Sequence, residues 1–141
     1  MNDKLGRRLF QTGAVILVLL GLVHCLSLIK TPVPANDTER QLLDLMASYT
    51  FDLMGSRRSM DNLLRGFSIT FALCVLAMGA LDLLIAREKA RPLKTLALVN
   101  VIWLAAMTAN SLYYFFAAPT AFLVTALVIF FLAWLKLPSQ A

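Results

Sequence analysis

The sequence has 141 residues, 60% of them hydrophobic, with 13 Lys+Arg against 8 Asp+Glu and a mean hydropathy of +0.75. A short chain this apolar, its charges gathered into a few stretches, reads as one integral membrane domain over 1–141; disorder, collagen-like repeats and a disulfide-rich secreted scaffold are excluded. One His and two Cys are too few for a zinc or haem site, and no glycine-rich phosphate loop or hydrolase motif is present, so neither metal nor cofactor is expected.

Residues 10–29 carry no charge and are long enough, at about 1.5 Å per residue, for a first span of about 30 Å. Lys4, Arg7 and Arg8 precede this run as in a signal peptide, but the run is longer than a signal peptide's apolar region. The second span is predicted over 63–86, with Arg65 and Asp82 at its margins. The third covers 95–116 and the fourth 119–135, with Pro119 suited to a first helical turn and Ala117 and Ala118 joining the two in a tight hairpin. The expected fold is therefore an all-α, four-helix membrane bundle.

Basic residues near span ends stay cytoplasmic. With four spans, one side carries Lys4, Arg7, Arg8, Arg87, Lys89, Arg91, Lys94 and Lys136 against Asp3, Asp82 and Glu88, which accounts for the whole net charge of +5. On the other side Lys30, Arg40, Arg57, Arg58 and Arg65 are balanced by Asp37, Glu39, Asp44, Asp52 and Asp61. Both termini are expected to be cytoplasmic. The basic balance then anchors the chain to a lipid bilayer, with no nucleic acid as partner.

Between spans one and two a long loop runs from Thr31 to about Asn62, and a long loop among short ones is where function concentrates. Thr38 and Gln41 match a capping box, and Leu42, Leu45, Met46, Tyr49 and Leu53 follow at helical spacing. An amphipathic helix over 39–54 is predicted, stopped by Gly55. It either lies on the bilayer or caps the bundle, and its acidic polar face favours a lid packed on protein.

Polar residues gather toward the outer ends of the spans. His24 sits six residues inside Lys30, and Arg58, Asp61, Arg65 and Ser68 share one face of a helix beginning near Ser59; Asn110, Ser111, Tyr113 and Tyr114 close the third span. Arg58 and Asp61 are expected to face the bundle interior. Ser59 can cap the second span and expose amide donors beside Arg57 and Arg58, as an anion site would require. The candidate ligand-binding residues are Arg58, Arg65, Ser59, Asn110, Tyr113 and Tyr114. His24 and Asp61 are the candidates for acid–base chemistry. Cys25 and Cys74 lie at depths differing by roughly 9 Å, beyond the roughly 7 Å reach of a disulfide. Every acidic residue reads as marginal to a span, which disfavours ion-coupled transport.

The stretch Phe51 to Ser68, FDLMGSRRSMDNLLRGFS, resembles a family of small, four-span bacterial membrane proteins of unassigned function, with Phe-x-x-Met-Gly-x-x-Arg-Ser leading into Gly-Phe-Ser or Gly-Phe-Gly and a histidine near the outer end of the first span. The matching positions are Phe51, Met54, Gly55, Arg58, Ser59, Asp61, Gly66 and Phe67, with His24. The resemblance implies a bacterial inner membrane and brings no activity. Three functions remain open: binding of a lipid-like amphiphile at the outer mouth, a lipid-active isomerase or hydrolase using His24, and an accessory subunit. A homo-oligomer or a larger membrane complex is open as a partner.

Overall fold

The structure is a computed structural model that describes residues 2–30, 32–88 and 92–138. Thr31 at the predicted loop start, and Lys89 and Arg91 of the predicted cytoplasmic charge set, lie outside the described residues. The elements in chain order are α1 (Asn2–Ser27), α2 (Asp37–Ser48), β1 (Thr50–Leu53), β2 (Ser56–Ser59), α3 (Met60–Ile85), α4 (Leu93–Tyr114) and α5 (Ala117–Lys136). Of these, α1, α3, α4 and α5 are long and apolar enough to cross a bilayer, and they pack as an all-α four-helix bundle of a multi-pass membrane protein. A helix bonds its own backbone internally, which is why uncharged runs of this length become helices in lipid.

Helix α1 is the hub. It packs along α3 on one side and along α5 on the other, and α5 packs along α4, whereas α3 and α4 do not pack along their lengths. Phe10, Ala14 and Leu17, at spacings of four and three, are fully buried on α1. Against lipid there is little hydrophobic drive to associate, so close backbone approach and dispersion must supply it. Glycine permits that approach: a Cβ at Gly79 of α3 would lie 2.8 Å from the Ala14 carbonyl oxygen, and one at Gly13 would lie 2.7 Å from the Phe130 ring. Phe130 also meets Phe10 edge-on, with centroids 5.2 Å apart, an arrangement that contributes about 0.5–1.5 kcal/mol beyond burial.

The loop differs from expectation. Its helix opens earlier, because Asn36 rather than Thr38 is the N-cap and accepts from the Glu39 amide at 2.9 Å. It also stops at Ser48, not near residue 54. The β-favouring run Tyr49–Thr50–Phe51 turns instead into an antiparallel hairpin in which Phe51 faces Arg58 and Asp52 faces Arg57. Met54 and Gly55, at φ 52° and 85°, form its two-residue turn, and the Asp52 carboxylate accepts from the Gly55 amide at 2.7 Å. Gly55 thus reverses a hairpin and does not end a helix. Nor is α2 a tightly packed lid: none of its residues is buried, and its contacts with β2 and α3 are light. At the far hairpin, Phe115 and Phe116 join α4 to α5, and Ala117 and Ala118 already belong to α5.

Candidate functional site

The long loop and the α4–α5 turn lie at one end of the bundle, called here the loop end; the start of α1 and the end of α5 lie at the other, the terminal end. At the loop end, β2 delivers the chain into α3 through Ser59. The Ser59 hydroxyl accepts from the Asn62 amide at 3.2 Å, while the Asn62 side chain accepts from the Ser59 amide at 3.3 Å. This reciprocal capping box fixes where α3 begins and buries Ser59, so its hydroxyl serves the helix.

From that start the face of α3 bearing Asn62, Leu63, Gly66, Phe67 and Thr70, with Arg58 above it, forms an open groove of ≈ 620 Å³. Gly66 is its floor, since a Cβ there would meet nothing within 4 Å. Phe67 stands 71% exposed at its side. Arg58 donates through Nη1 to the Arg57 carbonyl at 2.7 Å, which holds the guanidinium at the rim, its other donors making no hydrogen bond among the described residues. The groove joins one cationic fork to an apolar trough.

The other expected site residues do not converge on it. Arg58 is exposed and Asp61 is half-exposed, so neither faces the bundle interior; Asp61 accepts from Arg65 Nε at 2.8 Å in a solvent-facing i,i+4 pair. Asp61, Arg65 and Ser68 continue the phase of Ala72, Val75 and Gly79, the face of α3 that meets α1, but Asp61 and Arg65 lie past the level at which His24, near the end of α1, meets Phe71, and so stay open. Asn110, Tyr113 and Tyr114 are exposed, the two tyrosines stacked edge-to-face on each other at 4.6 Å. Ser111 alone of that group turns inward, bonding Thr120 of α5 at 2.7 Å. His24 packs its ring edge-on to Phe71 at 5.0 Å, and its Nε2 is buried without a hydrogen-bond partner. Among the described residues no carboxylate reaches it, so the His24–Asp61 pairing is not formed.

No known family model, curated protein or solved structure matches this chain.

The terminal end holds polar contacts that the sequence reading placed at a margin. Asp82 lies near the end of α3 yet is 4% exposed, and it accepts from Asn100 Nδ2 of α4 at 2.9 Å. Nearby, Arg7 of α1 donates to the carbonyls of Ala86 and Glu88 at 2.6 and 3.1 Å, closing the C-terminus of α3. The missed signal was helix phase. Ala72, Val75, Gly79 and Asp82 recur at three, four and three residues, so the carboxylate continues the buried face of α3; Leu93, Ala97, Asn100, Leu104, Thr108 and Ser111 do the same on α4.

Proposed function

We propose that the protein resides in a bacterial cytoplasmic membrane with both termini cytoplasmic, and that it binds an anionic amphiphile in the α3 groove. The head group sits against Arg58 at the extracytoplasmic loop end, and the apolar chain descends over Gly66 beside Phe67 toward Thr70. The observation that carries this reading is the groove itself: a guanidinium rim over an apolar trough of ≈ 620 Å³, within the usual range of small-ligand sites. The open space over Gly66 supports it further, because a glycine facing no protein neighbour leaves room that packing does not require.

Native mass spectrometry of the protein released from membranes tests the proposal. A copurifying acyl-chain adduct is expected on the wild type and is lost in Arg58→Gln and in Gly66→Leu, the first removing the head contact and the second filling the trough. Retention of the same adduct by both folded variants refutes the groove. The orientation is tested separately by reporter fusions at the C-terminus and at Ala47, which should report opposite sides.

A further inference from the structure

The buried pair at the terminal end has no part in the groove. Asn100 is 2% exposed, and its Nδ2 donates both to Asp82 Oδ2 and to the Leu96 carbonyl at 3.1 Å, while its Oδ1 is buried without a partner. The Asp82 carboxylate makes no ion pair: among the described residues the salt bridge is that of Arg65 with Asp61. Among the described residues no charged group on a surrounding element bonds Asp82. On α1, Arg7 bonds the carbonyls of Ala86 and Glu88; on α4, Lys94 holds its Nζ 5.8 Å from the Trp134 ring centroid; Arg87 and Glu88 beyond α3 and Lys136 on α5 are exposed.

A carboxylate withdrawn from water needs a positive neighbour, and a buried amide oxygen needs a donor or a cation. Here both lie within one cluster. We propose that Asp82 and Asn100 form a buried site for a single small positive charge, taken up as an alkali cation or as a proton, at the seam between α3 and α4. Turning the Asn100 amide over brings Oδ1 to the place of Nδ2, beside Asp82 Oδ2 and the Leu96 carbonyl. Three oxygens then converge, the ligand type that hard cations take. The proton form uses the same turn: a protonated Asp82 donates to Oδ1.

Thermal unfolding of the purified full chain, in Na⁺ and in choline at matched ionic strength and across a pH series, tests the site. The wild-type melting temperature is expected to respond to Na⁺ if the charge is an alkali cation, or to pH alone, with Na⁺ and choline equivalent, if it is a proton. D82N, whose neutral amide needs no added charge, is expected to lose that response. Identical responses of wild type and D82N to both variables overturn the proposal. Should D82N fail to fold, two wild-type measurements decide: equilibrium dialysis against radioactive Na⁺ and the infrared band of a buried carboxyl across the same pH series. A bound ion displaced by acid, or a titrating buried carboxyl band without sodium binding, supports the site; the absence of both overturns it.

Discussion

At the loop end Arg58 of β2 and Asp61 and Arg65 of α3 extend into the surroundings, whereas at the terminal end Asp82, Asn100 and Arg7 turn toward neighbouring helices and bond there. The residue types are nearly the same, but the consequences are not. An exposed ion pair exchanges solvent contacts for protein contacts at little net gain, so the loop end is free to be shaped by a ligand. A buried polar pair leaves a desolvated group behind when either partner is removed, so the terminal end is committed to the fold. Stability should follow one end and ligand binding the other.

The largest effect is expected from Asn100→Leu, which strips the Asp82 carboxylate of its hydrogen bond: unfolding in detergent should show a loss of about 3 kcal/mol or more. A loss below about 1 kcal/mol would mean that the terminal end is as slack as the loop end. Arg7→Met should cost about 1–2 kcal/mol through the two carbonyls it leaves open, less than Asn100→Leu because the site is part-exposed. Met54→Asn should stabilise the hairpin by roughly 0.5–1 kcal/mol, since asparagine tolerates a φ of 52° better than methionine does. Asp61→Asn should change stability by no more than about 0.5 kcal/mol, and 1 M salt should erase the difference. Finally, His24→Phe keeps the ring against Phe71 and removes a buried nitrogen that has no partner. Its melting temperature should equal or exceed that of the wild type, and a clear fall would reveal a partner for Nε2.

The four spans were legible because an uncharged run of about 20 residues has few alternatives in lipid. Depth along the membrane normal was legible too: His24, Arg58, Asn110 and Tyr114 do belong to loop-end segments of α1, β2 and α4. Direction around each helix was not. Residues at one depth point wherever their own helix phase sends them, and phase needs the packed face as its reference. Gly13 and Gly79, where backbones touch, supply that reference only once their neighbours are known. The same ignorance placed Asp82 at a margin, since its position along α3 is marginal and only its azimuth is buried. The loop helix was overextended for a different reason. Leu42, Leu45, Tyr49 and Leu53 satisfy a helical period, and the turn that interrupts it is Met-Gly, which lacks the Asn-Gly or Asp-Gly signature of a tight hairpin.

The hub position of α1 bears on how the bundle is assembled during synthesis. Its contact with α3 forms between two neighbouring spans and can be complete while the later helices are still being made. The α4–α5 hairpin likewise closes on itself, through their shared packing and the Ser111–Thr120 bond. The two pairs meet through the α1–α5 contact at Gly13 and Phe130, and the same docking brings Asp82 of α3 to Asn100 of α4. The Asp82–Asn100 hydrogen bond crosses that docking interface, so a chain that has inserted all its spans but not yet docked its two halves would lack it together with the α1–α5 packing.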